Sequence, residues 1–387
     1  MPHYFGVDAN ADSCWQRFLE TPLLSQDERA RLLAAGFRPE QCSDYSQVVL
    51  DDINLSRWQR IKAHCAAELS MPWRFNAYRA PVSLVHLGDD AYSKLLAECA
   101  DAPPVLFCVG DHSLLARPGV AVVGSRRPSR DGALAAYTLG RDLALSGVVT
   151  ISGLARGIDG QAHEGALSAG GSTIAVMATG IDQIYPHQHQ GLAQKIASDG
   201  LLVTEFLPSA KPHRWHFPRR NHTLSGMALA TVVVEAGKPS GSLITASAAA
   251  DQSRDVFAYP WSVYHKGGEG CRYLLADGAQ LAQSASDVVA SLGIVAQAAL
   301  DQSSASCKKF ATEKADCSPI TNNNEQALTI VEIIGDGALE LPDLLELSEM
   351  NGVDLRRELS RLELIGAIEN TPQGFRLNRA QSTYNPC

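Results

Sequence analysis

The amino-acid sequence predicts an α/β protein in three parts: a small helical domain, a core built on a parallel β-sheet, and a winged-helix-like domain. Three observations predict it. Residues 1–80 contain amphipathic helical runs. Residues 81–295 alternate β-branched apolar runs with Ala- and Leu-rich amphipathic segments, which is typical of βαβ units. Residues 296–325, rich in Ser, Asn and Lys, predict a flexible linker before a last patterned stretch, 326–380.

The composition is typical of a folded, water-soluble protein. Of 387 residues, 45% are hydrophobic and 19% are charged, and no apolar stretch approaches the roughly 20 residues that cross a bilayer. The first twelve residues show no secretory signal, so we expect a cytoplasmic protein with no membrane partner. The nine cysteines are odd in number and form no CxxC, which argues against a disulfide framework and against a zinc site.

The charge is distributed unevenly. The formal charge of −9 by itself counts against a nucleic-acid partner. Residues 325–379, however, hold eleven acids and five arginines, so much of the negative charge lies in the C-terminal domain. We expect that domain to dock protein or to be structural and not to bind duplex DNA, although Arg356, Arg357 and Arg361 could form a local basic face on its third helix.

Each part supplies predicted elements. In the first, Ser25 begins a helix through Ala35 that Gly36 ends, and Leu55 begins another that runs to Leu69. In the last, two short apolar-containing segments at 366–369 and 374–377 predict a two-stranded wing. In the core, seven apolar runs predict strands, and ligands of such sheets bind beyond the carboxyl ends of the strands. These strands are 105–108, 120–124, 148–151, 173–178, 201–205, 231–235 and 255–259.

Two glycine-containing loops follow buried strands. VAVVGSRRPSR at 120–130 opens into a helix whose amides and dipole favour an anion, although a solvated basic turn is about as plausible. SGLARGIDGQAH at 152–163 places Arg156 beside two glycines. Asp159 is expected to cap the next helix. For His163 a packed or capping role is at least as plausible as catalysis.

The densest positive stretch is KPHRWHFPRRNH at 211–222, with four Lys or Arg, three His, two aromatic residues and no acid. This interleaving favours a strip that follows a sugar–phosphate backbone while rings stack on bases. In the alternative, Trp215 and Phe217 are core anchors and the cations are simply solvated.

The fourth loop, EAGKPSGSLIT at 235–245, follows the most apolar strand. Ser240, Gly241 and Ser242 at a helix N-terminus supply amide and hydroxyl donors for a further phosphate, and Lys238 supplies charge. The loop lacks the P-loop pattern, and Ser242 has no obvious paired base. Together the four loops predict binding of a polyanion and not catalysis upon it, so we expect no catalytic residue, no cofactor and no metal.

These stretches, in this order and spacing, closely resemble the DprA (Smf) family of DNA-processing proteins. The matching segments cover roughly residues 85–290 and are VAVVGSR, SGLARGIDGQAH, TIAVMATGIDQIYP, FPRRNHTLSG, VVVEAGKPSGSLITA and GGEGCRYLLADGA. The resemblance implies an extended Rossmann-like core, with a SAM or helix-hairpin-helix-like domain at 1–80. It also implies a homodimer that binds single-stranded DNA and loads RecA recombinase onto incoming DNA in natural transformation.

Carried over motif by motif, the resemblance implies a set of DNA-binding residues, with Arg126 as the principal phosphate contact and Phe217 as a base-stacking ring. The set is Ser125, Arg126, Gly153, Arg156, Arg214, Phe217, Arg219, Arg220, Asn221, Ser240, Gly241, Ser242 and Thr245. The chain departs from the family pattern at His222, Trp261 and Arg272, where Arg or Lys, Gly, and Asn are common.

The main rival function is a nucleotide-binding enzyme of the phosphoribohydrolase, or lysine-decarboxylase-like, type. Such enzymes share glycine-rich phosphate loops but carry PGGxGTxxE, with a glutamate placed for catalysis. The equivalent stretch here, KPSGSLITASAAA, has no acid at the corresponding place, which counts against hydrolysis.

Overall fold

The structure is a computed structural model of the chain. It describes residues 2–293 apart from 7, 45–52, 66, 68–71, 74, 76–77 and 79, and, beyond residue 293, Leu355, Leu359 and the segments 368–371 and 374–377. The chain forms two compact units, Met1–Phe310 and Ala311–Cys387. Among the described helices, none combines the length and the apolar character that a membrane span requires.

The N-terminal region contains one short strand and three helices. Strand β1 spans His3–Tyr4, and helices α1, α2 and α3 span Ala9–Glu20, Gln26–Ala34 and Leu55–Cys65. Ser25 caps α2, as predicted. Its hydroxyl accepts a hydrogen bond from the Glu28 amide at 3.1 Å, and the Glu28 carboxylate accepts one from the Ser25 amide at 2.7 Å. This reciprocal pair satisfies amides that the first helical turn leaves without partners.

In the central region, strands and helices alternate. The strands are β2 Val82–His86, β3 Val105–Gly110, β4 Gly119–Val123, β5 Val149–Ser152, β6 Thr173–Val176, β7 Leu201–Thr204, β8 Ala230–Val233, β9 Asp255–Ala258 and β10 Gln280–Leu281. The helices are α4 Lys94–Ala97, α5 Arg130–Leu145, α6 Ile158–Ser168, α7 Gln190–Asp199, α8 His216–Gly226, α9 Gly241–Asp251, α10 Glu269–Ala276 and α11 Ala285–Ser291. All seven predicted strands are present. The sequence does not predict β2, whose Ser83 and His86 interrupt the apolar run.

Within the described residues, ten strands form one sheet in the order β1-β2-β3-β7-β6-β5-β4-β8-β9-β10. From β7 to β10, neighbouring strands pair parallel, which confirms the α/β class and the parallel core. The other edge, β1-β2-β3-β7, pairs antiparallel and is not predicted. Periodicity identifies buried strands but not their direction, because both kinds of pairing bury the same apolar run.

The N-terminal helices pack their aromatic side chains in one hydrophobic cluster with the antiparallel edge. Trp15, Phe18, Phe37 and Trp58 are at most 1% exposed and share this cluster with Phe107 of β3. Buried aromatic rings remove large apolar areas from water, so these contacts stabilise the position of the helices on the sheet. The predicted domain boundary near residue 80 stays a prediction.

In the C-terminal unit, strand β11, Ile368–Thr371, pairs antiparallel with strand β12, Gly374–Leu377. This hairpin lies where the sequence predicts the wing. The predicted linker at 296–325 and the basic face of Arg356, Arg357 and Arg361 lie outside the described residues. The winged-helix-like domain therefore stays a prediction.

Candidate nucleic-acid interface

A cleft of about 420 Å³ opens at the carboxyl edge of the parallel strands, and we call it the Arg126 cleft. Its walls are the loops after β4, β5 and β8 together with the first turns of α8 and α9. It brings together most of the residues predicted to bind DNA, namely Ser125, Arg126, Phe217, Arg220, Asn221, Ser240, Gly241, Ser242 and Thr245.

The loop after β4 is fastened by a buried carboxylate. The Ser125 amide donates to the Glu235 carbonyl oxygen at 2.7 Å. At the start of α5, the Glu235 side chain accepts hydrogen bonds from the Ser129 amide at 3.0 Å and from the Ser129 hydroxyl at 2.5 Å. The sequence predicts a phosphate at this helix terminus. The structure places Glu235 there instead, because a carboxylate that is 2% exposed needs these donors.

The loop after β5 packs around a buried arginine from α8. Arg220 is 4% exposed, and its Nη1 donates to the carbonyl oxygens of Gly153 and, at 2.6 Å, Val176. Asp159 accepts hydrogen bonds from the amides of Gly153 at 3.1 Å and Ala155 at 3.4 Å. A Cβ at Gly153 would lie 2.3 Å from Arg220 Nη1, so this close approach requires glycine. The expected helix cap is wrong for Asp159, since it lies inside α6 and bonds the preceding loop.

Burial dominates the ionisation of Arg220 and Asp159. Burial lowers the pKa of Arg220 to about 10, while Asp159 opposes this shift and Arg126 adds to it. Burial raises the pKa of Asp159, and Arg220, the loop amides and Arg126 oppose that shift. Arg220 therefore forms part of the cleft's floor, where its Nη1 donates to backbone carbonyl oxygens and its Nε to the Asn221 side chain at 3.1 Å, whereas the resemblance implies contact with the DNA strand.

Arg126 and Phe217 form a cation–aromatic pair at the mouth of the cleft. The guanidinium carbon of exposed Arg126 lies 4.9 Å from the ring centroid of half-buried Phe217. The ring meets Tyr185 nearly edge-on, with centroids 6.1 Å apart. A guanidinium held over a ring keeps its planar donors available for phosphate, so this pair supplies both charge and a stacking surface.

The loop after β8 supplies hydroxyls and amides. Ser240 caps α9, since its hydroxyl accepts a hydrogen bond from the Ser242 amide at 3.2 Å. Ser242 and Thr245 are buried in the wall, whereas Gly241 is exposed and an added Cβ there would meet no atom within 4 Å. The N-terminus of α9 therefore faces open space beside Gly241, where an anion fits.

Some of the predicted residues lie outside the Arg126 cleft. Arg156 and Gly153 line a narrow slot of about 30 Å³ beside it. Arg214 is exposed, with its guanidinium carbon 4.8 Å from the Trp215 ring centroid. Arg219 donates to the Glu205 carboxylate and to Gln26, and faces a second pocket of about 390 Å³ that we call the Glu205 pocket.

His163 has a packed, structural role, one of the alternatives that the sequence leaves open. It is buried, and its Nδ1 lies 2.8 Å from the Thr173 hydroxyl. That hydroxyl donates to the Thr150 carbonyl oxygen at 2.6 Å, which leaves the ring nitrogen to act as donor. Burial lowers the pKa of His163 to about 3, so the ring is neutral at physiological pH.

Two departures from the family pattern fasten the loop after β9. Trp261 Nε1 donates to the Val234 carbonyl oxygen at 2.7 Å. Arg272 Nη1 donates to the carbonyl oxygens of Ser262 at 2.7 Å and His265 at 2.9 Å. The third departure, His222, lies 3.5 Å from the Asp101 carboxylate and lines the Glu205 pocket. The Arg272 guanidinium thus bonds to backbone carbonyl oxygens of that loop.

Sequence reasoning missed Glu235 and Tyr185. A signal for Glu235 exists in the sequence, because it ends the most apolar strand and a carboxylate in that position must find donors. Tyr185 carries no such signal, since its contact with Phe217 joins residues far apart in the chain.

The Arg126 cleft has the chemistry of a polyanion site. The carboxylate in its lining, Asp159, is buried and already bonded to two amides. General acid–base work requires a carboxylate within reach of the reacting atom, so this arrangement favours binding over the phosphoribohydrolase reaction. The described residues form no group of three or more His, Cys, Asp or Glu side chains suited to a metal ion.

Comparisons with known proteins match the central region of the chain. A sequence model of the family described as DNA recombination-mediator protein A matches residues 83–293. The DNA processing protein DprA of Streptococcus pneumoniae is 44% identical over 202 residues, which cover 52% of this chain and 71% of that protein. Its X-ray structure matches with a TM-score of 0.58 at 33% identity, covering 72% of this chain and 97% of that one.

A second solved structure, of DNA processing protein A from Helicobacter pylori, is described as showing a unique single-stranded DNA binding mode. It matches with a TM-score of 0.50 at 30% identity and covers 56% of this chain and 96% of that one. The family model covers more than half of the chain, and the cleft lies inside the matched residues. This chain therefore belongs to the DprA (Smf) family of DNA recombination-mediator proteins.

Proposed function

We propose that this protein binds single-stranded DNA along the carboxyl edge of its sheet and performs no chemistry on it. The observation that carries the proposal is the Arg126–Phe217 pair at the mouth of the cleft. A cation for phosphate and a ring for a base lie together there, over a floor whose buried charges, Asp159 and Arg220, bond to backbone amides and carbonyl oxygens. The related Helicobacter pylori protein, described by its single-stranded DNA binding mode, supports the same ligand.

The test is a titration of the full chain with labelled oligo-dT and with a matching duplex at several salt concentrations. We expect a preference for the single strand and a fall of log K with log salt of about 0.7 per phosphate neutralised. Arg126→Ala should weaken binding about tenfold or more, whatever the base sequence, because a charge-assisted contact is lost. Arg141→Ala is the matched control, since Arg141 is exposed on α5 and paired with Asp142.

Salt-independent binding, equal affinity for duplex, or an Arg126→Ala variant that binds like the wild type would each contradict the proposal.

We propose further that the protein acts in the cytoplasm as a homodimer that loads RecA recombinase onto the bound strand in natural transformation. Membership in a family named for recombination mediation supports this role. The protein should sediment with twice the mass of one chain. It should also accelerate RecA assembly on single strands already covered by a single-strand-binding protein. A monomer at working concentrations would contradict the homodimer. Unchanged RecA assembly would contradict the loading role.

A further inference from the structure

Three cation–aromatic pairs occur in the part of the chain that the structure describes, and all three lie beyond the carboxyl ends of strands. Arg126 follows β4 and lies over Phe217, Arg214 follows β7 and lies over Trp215, and Lys238 follows β8 and lies over Tyr273. The first pair belongs to the Arg126 cleft. In the third, Lys238 belongs to a loop that the sequence predicts to bind phosphate, Tyr273 is not among the predicted DNA-binding residues, and neither side chain lines that cleft.

The Lys238–Tyr273 pair adjoins one end of the cleft. Gly237 and Pro239, on either side of Lys238, both line the cleft. Lys238 is exposed, and its Nζ lies 3.7 Å from the centroid of the Tyr273 ring. Tyr273 is 45% exposed, so much of its ring surface meets solvent. A cation and an accessible ring therefore continue the cleft beyond Ser240.

The position of Tyr273 is fixed by the backbone. The Gly270 amide, at the start of α10, donates to the Ala236 carbonyl oxygen at 2.7 Å. A Cβ at Gly270 would lie 2.7 Å from the Gly237 carbonyl oxygen, so glycine permits α10 to sit directly against the loop after β8. Tyr273 and Lys238 are thus presented on packed elements, which keeps the cost of ordering them on binding low.

We propose that Lys238 and Tyr273 form a further nucleotide subsite, where a phosphate meets the Lys238 ammonium and a base stacks on Tyr273. The proposal deepens the proposed function and rests on it. Neighbouring strands lie about 4.8 Å apart, so the subsite after β8 adjoins the Arg126 loop after β4, whereas the Arg214 loop after β7 lies four strand positions, about 19 Å, from the subsite. That length suits several nucleotides, within the roughly 4 to 16 that one single-strand site commonly covers. The subsite engages only strands long enough to extend past the Arg126 cleft.

The experiment measures affinity for oligo-dT of about 4 and about 15 nucleotides, because the longer strand occupies the loops from β7 to β8 together, whereas the shorter one can bind at Arg214 and Arg126 without contacting Tyr273. We expect Tyr273→Leu to weaken binding of the longer strand about tenfold and to leave the shorter one unchanged. Tyr273→Phe, which keeps the ring, should bind like the wild type. Lys238→Gln, at an exposed position, should weaken the longer strand and lower its salt dependence by about 0.7.

Tyr4→Leu is the matched control, since Tyr4 is 38% exposed on β1 at the opposite edge of the sheet. Thermal melting of each variant reports on folding. If Tyr273→Leu and Lys238→Gln bind both lengths like the wild type while Arg126→Ala still loses affinity, the subsite is overturned and the proposed function stands. Equal loss on both lengths also overturns the subsite. A wild-type protein that binds neither length overturns both proposals.

Discussion

Two depressions of similar size flank helix α8 and differ in charge. The Arg126 cleft, about 420 Å³, and the Glu205 pocket, about 390 Å³, both receive arginine side chains from the same helix. In the Glu205 pocket, Asp27, Asp101 and Glu205 accompany Arg219 and His222. In the cleft, the single acid of the lining, Asp159, is buried under its own hydrogen bonds.

The difference teaches that a count of cations does not locate a polyanion site. Arg219 and Arg220 are neighbours in the most basic stretch of the chain, yet successive helical residues point about 100° apart. Arg219 is drawn to Glu205 and Arg220 to backbone carbonyls of the cleft floor. Of the two arginines that line the cleft, Arg126 is the one left for a ligand, and it lies outside that basic stretch.

The largest effect should come from removing the charge beneath the cleft. Arg220→Met should lower the free energy of unfolding by about 3 kcal/mol, because Asp159 and two carbonyl oxygens lose a buried partner. Chemical denaturation measures this loss. Arg141→Met, at an exposed arginine, is the control and should change stability by less than about 0.5 kcal/mol. If the two variants are equally stable, Arg220 does not stabilise the buried floor of the cleft.

A second measurement concerns the ring in the mouth of the cleft. Phe217→Leu should weaken binding of oligo-dT about tenfold, because leucine fills part of the space but offers no stacking face. Phe217→Tyr retains the ring and should bind like the wild type. If the leucine variant keeps full affinity in the same titration, Phe217 is a packing residue and the alternative of a core anchor is correct.

A third measurement tests the buried neutral histidine behind the cleft. The pKa of His163 in the folded protein, about 3, lies below the value of about 6.5 expected in the unfolded chain, so the unfolded chain binds the proton between these values. Stability should therefore fall as pH decreases from about 6.5, by about 1.4 kcal/mol per pH unit from this group.

Chemical denaturation of the wild type and His163→Gln between about pH 7 and pH 4 isolates that contribution, because the other titrating groups are common to both proteins. The variant should show the shallower dependence on pH. Parallel curves would mean that His163 is protonated in the folded state.

The smallest effect is expected in the Glu205 pocket. Arg219→Gln should change oligo-dT affinity by less than about twofold, because the guanidinium is already committed to Glu205 and Gln26. Arg126→Ala, measured beside it, should lose about tenfold or more. A comparable loss in Arg219→Gln would show that the strand crosses α8 and enters the second pocket, which would break the contrast between the two.

Much of the fold is predictable from the pattern of apolar residues. The seven predicted strands and the cap at Ser25 are present because they rest on local signals, buried β-branched runs and a capping pair three residues apart. The antiparallel edge is not predictable in this way. The direction of β3 depends on pairing with β2 and β7, which lie far from it in sequence.

The site follows the same division. The loops that line the cleft are predictable, because strand ends followed by glycine and hydroxyl residues are local sequence signals. The roles inside those loops are not. The resemblance implies that Gly153 is a DNA-binding residue, and the structure shows that it makes room for Arg220. The helix terminus predicted for an anion ligand is filled by Glu235.

The sequence by itself determined the class of fold, the order of its strands along the chain and the edge of the sheet where the cleft opens, because each depends on residues close together in the chain. Only the tertiary structure decided which cations remain available to a ligand. That choice depends on partners such as Glu205 for Arg219 and the Gly153 carbonyl for Arg220, contributed from other elements of the fold. A charge acts on a ligand only when the fold has not already satisfied it.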